Sequence, residues 1–289
     1  MLRVERSGTA TPRASASAHE LIERLRGRRF AVLTGAGVST ESGIPDYRSP
    51  EAAARAKGKP IHGPEFVRSA TLRRRYWARA MAGWERFRLA RPGPSHLALA
   101  ELEERGLVSG LVTQNVDRLH RLAGSRRVTE LHGALAEVVC LDCGALEDRD
   151  AVQARMREQN RGWPLDPSAM APDGDADLPD SAVDQFTGPS CVQCGGVLKP
   201  NVVFFGHNVA KPVVDEAYEV VARAEALLVA GTSLAVFSGY RFLLRASDLN
   251  VPILIVNRGP VRGEERADLK IEESTGDTLA ALASELLTV

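Results

Sequence analysis

Phe30-Ala31-Val32-Leu33-Thr34-Gly35-Ala36-Gly37-Val38-Ser39-Thr40-Glu41-Ser42-Gly43-Ile44-Pro45-Asp46-Tyr47-Arg48 decides the fold of this chain. Its first four residues are apolar without interruption, which reads as a strand buried on both faces of a parallel sheet. A buried strand that delivers Gly-x-Gly is how a doubly wound α/β sheet makes a dinucleotide pyrophosphate site. The glycines let phosphates approach the backbone, and the start of a following helix supplies free N–H groups and the positive end of its dipole. The third glycine of that fingerprint is missing, because position 40 is Thr. A Gly-x-Gly pair alone also occurs in ordinary turns, so the specificity rests on the polar, proline-containing continuation.

Three further apolar runs are expected as strands: Leu107 to Val112, Ala226 to Ala230 and Val251 to Val256. They end in Thr113-Gln114-Asn115, in Gly231-Thr232-Ser233 and in Asn257, as the first run ends in Thr34. Ligands of open α/β sheets bind beyond the carboxyl ends of the strands, so four ends carrying small or polar groups point to one nucleotide crevice. Helices are expected from Leu21 to Arg26, opened by a Ser17-Ala18-His19-Glu20 capping box, and from Phe66 to Leu89. A third, from Ser95 to Arg105, is read as capped by Ser95 and stopped by Gly106. Trp77, Met81 and Trp84 recur at helical spacing and read as packing.

The chain has 289 residues and zero formal net charge. No bulk field draws it to nucleic acid or an anionic membrane, and no apolar run is long enough to span a bilayer. A soluble intracellular monomer is expected, with neither nucleic acid nor membrane as a partner. Residues 1–16 are rich in Arg, Ser, Thr and Ala with the single acid Glu5. They read as the disordered tail of a bacterial, cytoplasmic protein, the alternative being a transit peptide to the mitochondrial matrix.

All four cysteines fall in two pairs, Cys140-x-x-Cys143 and Cys191-x-x-Cys194, each followed by a glycine. Four thiolates make a closed tetrahedral site, so the expected zinc is structural. Disulfides and a redox Cys-x-x-Cys are the alternatives. The first lacks a secretory signal and the second needs no duplicate. Among the six histidines, His62, His96 and His120 lie near element boundaries and read as surface or capping residues. His132 closes a short strand, Arg127 to Leu131, and precedes Gly133, which leaves room for a ligand beside the ring.

Taken in order, these segments resemble the sirtuin family of NAD-dependent protein lysine deacylases. The resemblance rests on Gly35-Ala36-Gly37-Val38-Ser39, Ser42-Gly43-Ile44-Pro45-Asp46-Tyr47-Arg48, Thr113-Gln114-Asn115-Val116-Asp117, Leu131-His132-Gly133 and the cysteine pairs. Val202-Val203-Phe204-Phe205-Gly206 and Gly231-Thr232-Ser233-Leu234 complete it, and it covers the chain from about Ala31 onward. Tyr47-Arg48-Ser49, Arg75 to Arg79, Ala171 to Asp175 and Ser238-Gly239-Tyr240-Arg241-Phe242 look like the class II branch. The implied fold is α/β, a Rossmann-like doubly wound parallel sheet with a smaller zinc-binding and helical module. Residues 17–49, 94–137 and 198–289 would form the NAD-binding domain, 50–93 the cofactor loop and helical module, and 138–197 the zinc-binding module.

The resemblance implies a chemistry and a set of roles. The acyl-lysine oxygen attacks the anomeric carbon of NAD, nicotinamide leaves, and an alkylamidate forms. His132 then takes a proton through the ribose hydroxyls, and water resolves the adduct to lysine and acyl-ADP-ribose. Gly35, Ala36, Gly37 and Ser39 would line the phosphates and nearby ribose, with Asp46, Tyr47 and Arg48 in the cofactor loop. Asn115 and Asp117 would shape the nicotinamide pocket, and Gln114 would contact its ribose. Gly231, Thr232, Ser233 and Asn257 would hold phosphate and the adenosine ribose, and Gly276-Asp277 would pass the adenine. Val202, Val203, Phe204, Phe205 and Gly206 would pair with the substrate peptide, beside Asn201 and His207, where the family commonly has acids. Tyr76 and Arg79 sit three apart on one helix face and would suit an acidic acyl chain, the alternative being a solvated basic face. A mono-ADP-ribosyltransferase, a hydride-transferring oxidoreductase and a non-enzymatic NAD-sensing scaffold are the competing functions.

Overall fold

The computed structural model describes residues 16–47, 61–163, 178 and 180–288. Most of the amino-terminal tail, most of the loop at 50–63, Arg48, and the Ala171 to Asp175 stretch lie outside them. The large sheet is built from β1 (Phe30–Thr34), β2 (Val108–Thr113), β3 (Val128–Glu130), β7 (Ala226–Ala230), β8 (Ile253–Val256) and β9 (Leu269–Ile271). Its strand order is β3-β2-β1-β7-β8-β9 and every pairing is parallel. The order reverses between β1 and β7, which is where a doubly wound sheet opens its ligand crevice.

Alternation along β1 explains the continuous apolar run. Phe30 and Val32 face Leu21, Ile22, Leu25, Leu99, Leu102, Leu279 and Leu282 on one side. Ala31 and Leu33 face Ala217, Val221, Phe242 and Leu243 on the other. Helices cover both faces, so each of these strand positions is fully buried. The register aligns the carboxyl ends: Thr113 sits opposite Glu130, Thr34 opposite both Thr113 and Ala230, and Ala230 opposite Val256. The residues that follow these strand ends therefore share one rim.

A second sheet, order β5-β4-β6, is antiparallel and consists of β4 (Gly133–Cys140), β5 (Leu146–Asp148) and β6 (Leu198–Val202). It extends past the expected 138–197 module, taking in 133–137 and 198–202. Phe66, Tyr76 and Trp77 pack with Val138, Val152, Met156 and Leu198 in one core, so the helical and zinc-binding segments form a single unit. Trp77, Met81 and Trp84 are buried, as packing residues should be.

Three helix boundaries differ from expectation. The first helix spans Ala16–Leu25, so Ser17 lies inside it and donates to Glu273 rather than opening it. The long helix from Phe66 breaks at Ser69, which is extended (φ −110°, ψ 112°) and accepts the Leu72 N–H at 3.2 Å. The products are helices Gly63–Arg68 and Ala70–Arg88. The third helix is Pro94–Glu104 with Gly93 as its N-cap, placing Ser95 within the first turn.

Candidate active site

Beyond Thr34 the chain makes two short 3-10 turns, Ala36–Val38 and Thr40–Ser42, where the start of an α-helix was expected. Gly43 is left-handed (φ 81°) and Pro45 follows, so the second turn cannot propagate. The turns, rather than a helix end, line the crevice. The Gly37 N–H donates to the Gly231 carbonyl at 2.8 Å, bringing the β1 and β7 loops face to face. A Cβ on Gly37 would lie 2.8 Å from the Gly231 Cα, and one on Gly231 would lie 2.6 Å from the Val38 nitrogen. Only glycine fits this crossing, whose backbone shape belongs to the crevice itself.

Behind the turns lies a polar network that tightens around Ser39. Asn115 Nδ2 donates to the Gly35 carbonyl and to Ser39 Oγ, both at 3.0 Å. Ser39 Oγ donates to Asp117 Oδ2 at 2.7 Å, while Asp117 Oδ1 accepts the Leu119 N–H at 2.9 Å. Burial lifts the Asp117 carboxyl above its ordinary range, against the pull of those two donors. Gln114 Nε2 donates to Thr232 Oγ1 at 2.9 Å, tying β2 to the β7 loop.

His96 and His120, expected as surface or capping residues, are not at the surface, although His96 does cap a helix. Both are buried, with ring centroids 4.7 Å apart. The Gly93 N–H donates to His96 Nδ1 at 3.1 Å, which leaves the proton on Nε2, facing Ser39 Oγ at 3.3 Å. His96 therefore caps its helix from the N3 position and also joins the network. Burial holds its pKa down at about 4. His120 Nε2 lies 2.9 Å from Thr34 Oγ1, and its pKa is well below the ordinary value through burial and the neighbouring His96.

His132 stands at the junction of the two sheets. Its Nδ1 is 2.9 Å from the Gln114 carbonyl on the rim, and its Nε2 is 2.9 Å from Ser238 Oγ. Its own carbonyl accepts the Val203 N–H at 2.9 Å. Burial lowers the pKa of the ring, and the Gln114 carbonyl works the other way. The ring is thus neutral near pH 7, the form a base needs. β6 ends at Val202, and Phe205 bridges in parallel to His62. Lys199 shapes this edge from below, donating to the Pro200 and Val202 carbonyls with Nζ 4.8 Å from the Phe204 ring centroid. Burial brings its pKa to about 8. Tyr76 packs edge-on to Phe204 and Phe66, at 5.5 Å between centroids in each case. Arg79 lies one turn on, half-buried.

The other expected nucleotide contacts lie along the same rim or at its ends. Ser233 is half-buried in the β7 loop, its carbonyl accepting from Arg262 N–H at 2.9 Å. Asn257 follows β8, buried, with Nδ2 donating to the Arg258 carbonyl at 2.9 Å. Gly276 and Asp277 open the helix Thr275–Leu287, where a Cβ on Gly276 would meet the Glu41 carboxylate at 2.0 Å. Ala36 and Asp46 are half-buried, and Tyr47 is exposed. The four cysteines converge elsewhere, on the small module, with their sulfurs within 4.8 Å of one another. Cys140 and Cys194 Sγ are 3.5 Å apart, and Cys143 and Cys191 Sγ 3.8 Å. A zinc ion bound tetrahedrally by thiolates at about 2.3 Å needs sulfur–sulfur edges of about 3.8 Å, so the donor set fits zinc and excludes disulfides.

A model of the Sir2 family matches residues 35–238. The chain is a sirtuin. It is 50% identical over 254 residues to the human NAD-dependent protein lipoamidase sirtuin-4, mitochondrial, covering 87% of this chain and 81% of that one. It is also 45% identical over 276 residues to NAD-dependent protein deacetylase 1 of Mycobacterium avium, covering 94% and 96%. A solved structure of Sir2Tm bound to a propionylated peptide superposes with a TM-score of 0.72 at 29% identity, over 92% of this chain and 97% of that one. The sirtuin is accordingly an NAD-dependent protein deacylase with a structural zinc site. Its sequence did not disclose Ser238, Lys199 or the buried pair His96 and His120 as parts of the site. The hydroxyls they face, Thr34 for His120 and Ser39 for His96, lie 86 and 57 residues away in the chain, so local sequence carries no mark of the pairing.

Proposed function

We propose that this sirtuin removes acyl groups longer or more acidic than acetyl from protein lysines, with His132 as the base. The position of His132 carries the reading. Its ring hangs on the nucleotide rim through Gln114, and its backbone holds the Val203 edge, so one residue touches both the NAD crevice and the peptide-binding segment. NAD supplies the electrophilic anomeric carbon and the nicotinamide leaving group. Gly35, Ala36, Gly37, Ser39, Thr232 and Ser233 cradle its phosphates and ribose, and Asn115 and Asp117 line the nicotinamide pocket. His132 Nε2 accepts the ribose hydroxyl proton, which frees that oxygen to attack the acyl carbon. Val202 to Gly206 hold the peptide by main-chain bonding, which tolerates many side chains. Asn201, whose Nδ2 donates to Glu137 at 2.9 Å, and the exposed His207 set which residues flank the target lysine.

Acyl preference is supported by the aromatic floor next to that edge. Tyr76 is buried against Phe204, so an acyl chain passing the edge meets rings, with the Arg79 guanidinium one turn further. The human relative named a lipoamidase agrees with a long chain. A panel of acetyl, lipoyl, glutaryl and methylglutaryl peptides tests the reading. Higher kcat/KM on the longer chains, with Arg79→Ala reducing the acidic ones about tenfold and sparing acetyl, is the expected result. Acetyl as the best substrate, indifferent to Arg79→Ala, would remove it.

A further inference from the structure

Both nitrogens of the His132 ring are held, and the second partner belongs to neither the rim nor the peptide edge. A carbonyl only accepts, so the Gln114 oxygen 2.9 Å away fixes a proton on Nδ1. The neutral ring then has its lone pair on Nε2, and the Ser238 hydroxyl at 2.9 Å is the donor to it. Ser238 is the second residue of the helix Phe237–Asp248. The next residue, Gly239, is pressed against the rim: a Cβ there would lie 2.5 Å from Gln114 Oε1. One packed unit, Gln114 with the helix start, therefore fixes the ring plane, the tautomer and the direction of the lone pair.

We propose that Ser238 is a positioning residue for His132, donating to Nε2 in the free protein and accepting from it once the base is protonated. The inference rests on His132 being the base. A neutral imidazole nitrogen has one in-plane lone pair, so Ser238 and a substrate hydroxyl cannot both donate to it. When the ribose hydroxyl arrives, Ser238 turns its proton aside. The ribose proton passes to Nε2, the ribose oxygen keeps the bonding pair and attacks, and the new Nε2–H finds the Ser238 oxygen. A hydroxyl serves both states because it is donor and acceptor at once. Among the described residues, burial and the Gln114 carbonyl are the influences that move this titration, with no charged side chain among them.

The test follows His132 by imidazole nitrogen NMR in the intact protein, comparing wild type with Ser238→Ala and Ser238→Thr. Ser238→Ala removes a donor to the neutral ring and an acceptor for the protonated one, and the second, charge-assisted bond is the stronger. The His132 pKa should therefore fall by about 0.5 to 1 unit, while Ser238→Thr keeps the wild-type value. Nicotinamide exchange, which precedes the base step, should stay within about twofold in Ser238→Ala, whereas acyl-ADP-ribose formation should fall about 3- to 10-fold. An unchanged titration and unchanged rates in Ser238→Ala overturn the proposal. So does an equal fall in both rates, which would make the residue a packing element only. If His132→Ala still forms product at the wild-type rate, the base assignment fails instead, and the NMR titration still reports whether Ser238 holds the ring.

Discussion

Acidification should unlock this fold at His96, and the size of the effect follows from two proton affinities. In the folded chain the Gly93 N–H occupies Nδ1, and burial holds the ring pKa at about 4, against 6.5 for a free imidazole. Between those values the unfolded chain binds more protons, so stability falls as pH falls, beginning near 6.5 and ending near 4. At about 1.4 kcal/mol per unit the full loss is about 3 kcal/mol, of which about 2 is gone by pH 5. His120 is depressed too and pulls in the same direction. The discriminating variant is His96→Gln. A glutamine at N3 can accept the N-cap N–H as the imidazole does, and it does not titrate. Urea denaturation at pH 7, 6, 5 and 4 should show wild type losing about 2 kcal/mol more than His96→Gln between pH 7 and 5. Parallel losses in the two proteins would refute the assignment of His96 as a buried neutral cap.

Two further substitutions probe the crevice and the small module. Gly37→Ala places a Cβ 2.8 Å from Gly231 backbone, and should cost about 1–3 kcal/mol in urea denaturation and weaken NAD binding measured by calorimetry; unchanged stability would mean the two loops can separate freely. Cys143→Ser breaks the tetrathiolate. Zinc retained after chelator dialysis should drop from about one ion per chain to near none, with a Tm several degrees lower. Full zinc retention would show that three thiolates suffice.

The nucleotide-binding half was legible because its strands are uninterrupted apolar runs that end in small or polar residues. Runs such as Phe30 to Leu33 and Ala226 to Ala230 are apolar throughout because both sheet faces are covered, and the polar residues after them mark the rim. The cysteine pairs were legible because coordination fixes their spacing. What the sequence hid depends on contacts between distant segments. The helix after Gly37 was expected from the fingerprint, but the glycines serve a crossing with Gly231 instead. The Ser69 break is local, yet apolar spacing runs through it and conceals the extended backbone. Ser95 looked like the cap and His96 was read as a surface or capping residue; His96 does the capping, and its burial beside Ser39, 57 residues away, left no local mark. β4 and β6 were divided between modules because antiparallel pairing across some sixty residues leaves no local mark.

The most direct measurement is mass spectrometry of NAD turnover on acylated lysine peptides, with wild type beside His132→Ala. Wild type should yield nicotinamide and acyl-ADP-ribose, and the variant should lose acyl-ADP-ribose by at least about 100-fold. Wild-type acyl-ADP-ribose from His132→Ala, or ADP-ribose carried on protein with no acyl-ADP-ribose from either, would contradict this.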